Sequence, residues 1–351
     1  FEHLHAARME FAKNVIDKIS HLAGGGETVT HDASFDTSAY PDVAFYKVFL
    51  RCDKRTLNNL KLVSRRFYAI LDDSFFLQLC INEGVTLPPA SLRNQVSDLP
   101  EGGNEDVFFN YHEILAKNPF RDNLAPPFTC SLEEMVEKEL YQVLGSVELE
   151  EPPQGVDGEL DGPYSVERCI STSYSWGRRL VEVDLVKEGM PEWVLDRLRP
   201  RIIVSELVAP RFDCSAEYKG VVELLKSDEN FDDRRNVSSR TKKISKSWEQ
   251  WAQQGWEKVE FAFEDYPVGV RKLVLVSSGK DDKFWAGQYG CKIANLKIHV
   301  EMPDNLRLLD PEVFPDENVR LDNGDTQFVG RQPRVRPAGL GRMLRHFGGR
   351  M

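Results

Sequence analysis

Long apolar runs and the common catalytic signatures are both absent from this 351-residue sequence. A membrane-spanning helix needs about 20 consecutive apolar residues, and no run approaches that length. The sequence has no Gly-x-Ser-x-Gly, no His-Glu-x-x-His and no phosphate-binding loop, which argues against the hydrolases, metallopeptidases and nucleotidases that use them. We therefore expect a non-catalytic protein with no cofactor and no membrane span.

The sequence has few cysteines, and their spacing does not match that of a metal site. The six cysteines include no Cys-x-x-Cys and no close Cys/His pair, which argues against a zinc site. Thiols scattered through a chain of this size fit a reducing compartment better than a disulfide scaffold. A cytoplasmic location is the expectation, and the sequon at Asn236 is then a chance match.

The chain has fewer basic than acidic residues. The chain carries 45 Lys and Arg against 56 Asp and Glu, a net charge of −11. Attraction to nucleic acid is therefore not the expected driving force for binding. Six arginines between residues 331 and 350, with no acid among them, leave two interpretations of that tail: contact with RNA or acidic lipid, or a solvated terminus.

The N-terminal region predicts one helix followed by a connector. Apolar residues over 1–22 recur at helical spacing, three glycines follow, and the polar stretch up to residue 39 suits a flexible linker. The sequence starts at Phe1 rather than Met and lacks the basic-then-apolar order of a secretory signal, which is consistent with a fragment.

Residues 40–84 predict a small helical bundle. Pro41 and Asp42 mark a helix start, and Thr56 is a plausible N-cap for a second helix whose apolar stripe continues to Leu71. A third helix is expected to begin near Asp73. Residues 85–115 contain Pro and Gly clusters and predict a linker around one or two short helices.

Residues 116–302 change to a period of two. Alternating apolar residues around 181–185, 259–263 and 296–300 predict strands with one buried face, and the runs 202–204 and 273–276 predict strands buried on both faces. Many short strands separated by turn residues predict an antiparallel β-sandwich, jelly-roll-like, after the helical region. The expected class is therefore α+β multidomain, with residues 303–351 as a disordered tail.

The helical region resembles an F-box. The resemblance rests on a series of apolar and polar positions in a fixed order: Tyr40-Pro-Asp42, Val48-Phe-Leu50, Thr56-Leu57, Leu62-Val-Ser-Arg-Arg-Phe67, Leu71-Asp-Asp73 and Phe75-Phe76. It implies docking on a Skp-type adaptor and, through it, on the cullin scaffold of a ubiquitin ligase. The residues that it assigns to adaptor binding are Pro41, Val48, Phe49, Leu50, Leu57, Leu62, Val63 and Phe67. An ordinary internal core made of the same side chains is the competing interpretation.

The second region resembles the F-box-associated domain over about residues 116–302. The motifs that carry the resemblance occur in the family's order: Asn118-Pro-Phe-Arg-Asp-Asn-Leu124, Ser173-Tyr-Ser-Trp-Gly177, Val183-Asp-Leu185 with Trp193, Arg201-Ile-Ile-Val204, Trp256-Glu-Lys-Val-Glu-Phe261, Phe263–Arg271 and Asp282–Gly290. It implies a β-sandwich that selects substrates for the ligase. Some members of this family bind the chitobiose core of high-mannose N-glycans on misfolded glycoproteins, and others bind sugar poorly.

By this resemblance, four residues form the glycan site. Trp285 is the platform for a sugar ring and Phe284 its support, Tyr174 is a second aromatic wall, and Asp213 accepts hydroxyl protons. Each has a structural alternative, because Trp285 and Tyr174 also suit a core and Asp213 a turn. Gln288 stands where the family usually has Trp, and residues 294–297 replace a hydroxyl-rich stretch, which puts the strength of sugar binding in doubt.

Two other function classes are open at this point. The same loops would read a protein degron through Phe284, Gln288 and Tyr289 in place of a glycan. A glycosidase would need paired carboxylates, for which Asp281 and Asp282 are candidates, although adjacent acids usually point in different directions.

Overall fold

A computed structural model describes residues 41–99, 107–128, 130–156, 164–232, 235–251, 255–302 and Leu308. The helix predicted over residues 1–22, the connector up to residue 39 and nearly all of the tail predicted over 303–351 lie outside the described residues. The described part begins with short helices and continues into two antiparallel sheets, so the predicted fold class is confirmed.

Seven short α-helices precede the sheets in the described part of the chain. They are α1 Asp42–Phe49, α2 Lys54–Leu60, α3 Arg65–Ile70, α4 Asp73–Asn82, α5 Ala90–Ser97, α6 Tyr111–Lys117 and α7 Leu132–Glu137.

The helix starts differ from two expectations. Asp53, not Thr56, caps α2, because its side chain accepts a hydrogen bond from the Thr56 backbone N–H at 2.8 Å. The single helix predicted from Thr56 to Leu71 is two helices, since Ser64 accepts from the Phe67 N–H at 3.1 Å and starts α3. A side chain that satisfies an orphan N–H favours a new helix start over continuation. The start of α4 at Asp73 agrees with the prediction.

An aromatic cluster holds the first helices together. Phe49 is fully buried, and its ring lies 6.0 Å from that of Phe45 and 5.0 Å from that of Phe67. Phe75 and Phe76 of α4 are buried beside them with ring centroids 5.3 Å apart. The apolar spacing seen in the sequence is therefore the bundle's own core.

Residues 107–117 connect the helices to the sheets through direct contacts. On the helical side, Lys54 Nζ donates to the Leu115 carbonyl at 2.7 Å. On the sheet side, Trp193 Nε1 donates to the Phe108 carbonyl at 3.0 Å, and its ring lies 4.9 Å from that of Phe109. Two short helices, α5 and α6, lie at least partly within residues 85–115, where one or two were predicted, and residues 107–115 pack against both neighbours.

The β-sandwich has two five-stranded antiparallel sheets. The strands are β1 Gln142–Leu144, β2 Val147–Glu150, β3 Cys169–Thr172, β4 Gly177–Asp184, β5 Ile202–Ala209, β6 Ala216–Leu225, β7 Thr241–Trp248, β8 Glu257–Phe263, β9 Lys272–Lys280 and β10 Lys292–Val300. One sheet has the order β1-β4-β9-β6-β7 and the other β2-β3-β10-β5-β8. The chain alternates between sheets from β3 to β6, as in a jelly roll.

The predicted strand patterns are confirmed. Along β4 every second residue is buried, including Val181 and Val183, and β8 buries Val259, Phe261 and Phe263. All eight residues of β5 are buried, as expected for an interior strand covered on both faces.

Strand register places three loops at one end of the sandwich. Gly177 pairs with Gly279 and Glu217 with Lys280, so β4 and β6 both begin where β9 ends. In the other sheet Lys292 pairs with both Ser171 and Ala209, so β10 begins where β3 and β5 end. The connections β3–β4 (173–176), β5–β6 (210–215) and β9–β10 (281–291) therefore meet.

Candidate functional site

The aromatic connection 281–291 is shaped by a buried aspartate. Asp281 is 2% exposed, and its Oδ1 accepts hydrogen bonds from the backbone N–H groups of Lys283 and Phe284 at 2.7 and 2.8 Å. Asp282 points elsewhere and accepts from the Ser215 hydroxyl on the β5–β6 connection. The two acids therefore diverge, and each holds a loop, so Asp281 and Asp282 do not form the facing carboxylate pair that a glycosidase needs.

The β3–β4 connection packs against this loop. The Asp281 backbone N–H donates to the Ser173 carbonyl at 2.9 Å, and the Ser173 hydroxyl donates to the Gly287 carbonyl at 2.8 Å. At Gly290 an added Cβ would lie 2.5 Å from Thr172 Oγ1, so only glycine allows this approach. Tyr174, the next residue after Ser173, is 48% exposed at this end of the sandwich.

The β5–β6 connection supplies an ion pair beside the aromatic loop. Arg211 Nε donates to Asp213 Oδ1 at 2.7 Å, and the guanidinium carbon lies 4.9 Å from the ring centre of Tyr289. The cation thus bridges the predicted hydroxyl acceptor, Asp213, to the loop that carries Trp285.

The aromatic side chains are exposed rather than buried in a core. Trp285 is 39% exposed and Phe284 is 78% exposed, so the core alternative is wrong for this loop and for Tyr174. Among the ring contacts of the described residues, Trp285 packs against Tyr289, edge-on at 5.8 Å. Tyr289, not Phe284, is therefore the support of Trp285, and Phe284 is the more projecting ring.

The charge state of Asp213 is fixed by its neighbours. Burial alone would raise its pKa, but the hydrogen bonds from Arg211 and Cys214 and the charge of Arg211 outweigh it, and the pKa lies below its ordinary value of 3.8. A hydrogen bond from Ser215 likewise lowers the pKa of Asp282. Both groups are anionic acceptors at neutral pH.

Removing the Arg211 cation should raise the pKa of Asp213. Arg211→Leu removes the cation that offsets the effect of burial on Asp213. The Asp213 carboxyl should therefore titrate at higher pH than in the parent chain, and NMR can follow that titration. In the parent, any contribution of ionised Asp213 to stability is present above its unfolded pKa and is lost only as pH falls through the lower folded pKa. Lys187→Leu, at an 84% exposed lysine, is the charge-matched control and should leave that titration unchanged. An unchanged Asp213 titration in Arg211→Leu would contradict the assignment.

Two departures from the family pattern are now located. Gln288 donates from Nε2 to the Ser146 hydroxyl at 3.1 Å, which ties the aromatic loop to the turn between β1 and β2. Asn295 and Lys297 lie at a bulge of β10 and line a cleft of about 630 Å³ with Asn123 and Phe128. None of the four predicted glycan residues lines that cleft.

The residues predicted for adaptor binding fall into three groups by exposure. Phe49, Leu57 and Phe67 are at most 6% exposed and belong to the bundle core. Leu62 is 65% exposed, Val63 is 37% exposed, and Pro41 is exposed at the start of α1, whereas Val48 and Leu50 are half-buried. Only the exposed residues offer side chains to a partner, and the buried ones shape the surface from behind.

The described cysteines include several thiols with suppressed reactivity. Burial raises the pKa of Cys80 to about 11 and those of Cys169 and Cys214 to about 12, so they remain protonated and weakly nucleophilic. Within the described ranges, no three His, Cys, Asp or Glu side chains cluster as metal ligands. No helix there combines the length and apolarity needed to cross a bilayer.

The structure defines a β-sandwich that follows a helical bundle and carries exposed aromatic side chains on the connections at one end. A family model described as "F-box associated region" matches residues 115–300, more than half of the chain. The chain therefore belongs to the F-box-associated family, and the resemblance seen in its motifs is confirmed.

Among known proteins, the chain is similar to F-box only protein 6 of Rattus norvegicus. The two are 35% identical over 154 residues, which are 44% of this chain and 52% of that protein. F-box only protein 6 of Homo sapiens is 35% identical over 135 residues, 44% of its length. These matches span about half the length of the curated relatives. F-box only protein 2 of Bos taurus is 25% identical over 286 residues, 80% of this chain and 90% of that protein.

A solved carbohydrate-binding module in complex with β-1,4-galactotriose also matches. It has a TM-score of 0.27 and 13% identity, and the match covers 46% of this chain and 88% of that chain. The similarity is too low to say anything about ligands.

Proposed function

We propose that this protein is the substrate-recognition subunit of a Skp–cullin–F-box ubiquitin ligase and that its sandwich binds the chitobiose core of N-glycans on misfolded glycoproteins. The observation that carries the glycan part is one loop cluster in which the exposed Trp285 and the ionised Asp213 are linked through Tyr289 and Arg211. An indole face packs against the C–H face of a pyranose, and a carboxylate accepts bonds from its hydroxyls. Such a subunit works in the cytoplasm, on glycoproteins exported for degradation.

The four predicted residues would act in distinct ways. Trp285, held edge-on by Tyr289, presents the stacking face, and Asp213 accepts hydroxyl protons while Arg211 orients it. Phe284 and Tyr174 are exposed on the two loops that pack together through Ser173 and would flank the sugar. Every role is one of binding, so the protein itself would catalyse no step.

Loss of the indole should remove glycan binding. We expect Trp285→Ala in the full chain to weaken binding of a chitobiose-cored high-mannose glycan by about tenfold or more, ~1.4 kcal/mol, in calorimetric titration. Trp285→Phe keeps an aromatic face and should recover part of the affinity. Tyr68→Ala removes an aromatic ring that is 66% exposed on α3 and should bind like the parent chain. Absence of binding by the folded parent chain would overturn the glycan proposal.

A protein degron is the second candidate ligand, and the exposure of Phe284 is what favours it. A ring that is 78% exposed suits the apolar side chain of a peptide as well as a sugar. The two candidates separate by competition, because free chitobiose should displace a glycoprotein substrate but not a degron peptide. Binding that depends on Phe284 and resists chitobiose would assign the site to a degron.

A further inference from the structure

A second pair of exposed aromatic side chains lies on the neighbouring loops. Phe212 of the β5–β6 connection is 40% exposed, and Trp251, after β7, is 64% exposed. Their ring centres are 6.2 Å apart at an angle of 60°. Neither residue belongs to the four assigned above.

The backbone at Trp251 is held in an unfavourable conformation. Its φ of 67° lies in the left-handed region, and the other projecting aromatic residue, Phe284, has a φ of 59°. Bulky side chains rarely adopt positive φ, and residues that do so cluster at ligand-binding sites. Burial does not account for the conformation at either position, since both rings are exposed.

Hydrogen bonds and ring contacts connect this pair to the first site. Gln250, next to Trp251, donates from Nε2 to the Asp213 carbonyl at 3.1 Å. Phe212 lies between Arg211 and Asp213 in sequence. The Arg211 guanidinium covers the ring of Tyr289, and Tyr289 in turn supports Trp285. The connection between Trp285 and this pair therefore runs through the Trp285–Tyr289 contact at 5.8 Å and the Tyr289–Arg211 contact at 4.9 Å.

We propose that Phe212 and Trp251 form a second carbohydrate subsite that holds further pyranose rings of the same N-glycan. This inference rests on the proposed function and extends it from a disaccharide core to a longer, branched ligand. The surface repeats the chemistry of the first site, since exposed ring faces lie beside the ionised Asp213 and the Gln250 amide. The polar groups around the two rings favour a polyhydroxylated ligand over an apolar peptide groove.

The test compares two glycans on the full-length chain. The probes are the free chitobiose disaccharide and a complete high-mannose N-glycan with the same core, each titrated by calorimetry. We expect Trp251→Gly and Phe212→Ala to weaken the complete glycan about tenfold and to leave the disaccharide unchanged. Glycine accepts positive φ, so Trp251→Gly removes the ring without adding backbone strain. Trp285→Ala should weaken both ligands.

The outcomes separate the inference from the proposed function. Chitobiose binding that depends on Trp285, together with unchanged affinity of both subsite variants for the complete glycan, would overturn the second subsite and leave the function standing. Equal weakening of both glycans would also overturn it, because the pair would then belong to the first site. No binding of either glycan by the parent chain would overturn both proposals.

Discussion

Arg179→Ala is expected to destabilise the sandwich by about 3–5 kcal/mol, the usual cost of leaving one member of a buried ion pair without its partner. Arg179 of β4 is 2% exposed and Glu206 of β5 is 1% exposed, and their side chains are bonded across the space between the sheets. Arg179 Nη2 also donates to the Ser277 hydroxyl at 3.0 Å. Without the arginine, Glu206 would be a buried negative charge held by neutral donors alone.

Those neutral donors make the pair part of a network. The Tyr218 hydroxyl donates to Glu206 Oε1 at 2.5 Å and the Ser277 hydroxyl donates to the same oxygen at 2.6 Å. Burial and the Glu206 carboxylate raise the pKa of Tyr218 far above its usual range, so its hydroxyl remains a donor. Strands β4, β6 and β9 of one sheet are thereby joined to β5 of the other.

Urea unfolding of the full chain measures the effect, and the chain offers a matched control. Arg178 is the neighbouring arginine on the exposed face of β4, so Arg178→Ala should shift the unfolding free energy by less than about 0.5 kcal/mol. The double variant Arg179→Met with Glu206→Gln should recover part of the loss, because the uncharged amide needs no counter-charge and its oxygen still accepts from the Tyr218 and Ser277 hydroxyls. A single variant Arg179→Ala as stable as the parent would show that the pair is not desolvated.

Phe49→Ala is expected to cost the helical bundle about 3–5 kcal/mol, as for other fully buried phenylalanines. The ring is 0% exposed and packs against Phe45 and Phe67, so its removal leaves a cavity that the short surrounding helices cannot close. Loss of adaptor binding in this variant would therefore report unfolding and not a lost contact.

The exposed residues test adaptor docking itself. Leu62→Asp places a charge on a side chain that is 65% exposed, so stability should change by less than about 0.5 kcal/mol. Co-purification with a Skp-type adaptor should nevertheless be lost, because an apolar contact would be replaced by a desolvated carboxylate. Ile81→Asp, at a side chain 53% exposed on α4, is the control and should retain the adaptor. An adaptor that still co-purifies with Leu62→Asp would contradict the docking surface proposed here.

Several features could be predicted because they depend on local pattern. Alternation along β4 and β8 indicated which residues face inward, and the unbroken apolar run at 202–204 indicated an interior strand. The helix starts were less predictable, because Asp53, Thr56 and Ser64 are all suitable N-cap residues and only geometry shows which side chain reaches a free backbone N–H. The sequence did not indicate that Arg179 is buried, because Arg178 and Arg179 are adjacent and of the same type, and only the sheet buries one of them.

The candidate site shows the same division. Motifs identified Trp285, Phe284, Tyr174 and Asp213, and Tyr289 was assigned only to the degron alternative. Arg211, Phe212 and Trp251 were not assigned, because their roles depend on which loops meet. The positive φ angles of Trp251 and Phe284 could not be predicted from the sequence, because Trp and Phe normally avoid this backbone conformation.

By itself the sequence determined the class of fold and the family of this protein, since periodicity and ordered motifs are properties of the chain read in order. Only the tertiary structure decided which of the residues predicted to bind the adaptor are buried and which are exposed. It also decided that three loops distant in sequence meet at one end of the sandwich. The reason is physical: strand register across two sheets sets which loops become neighbours, and that register is fixed by packing over the whole sandwich.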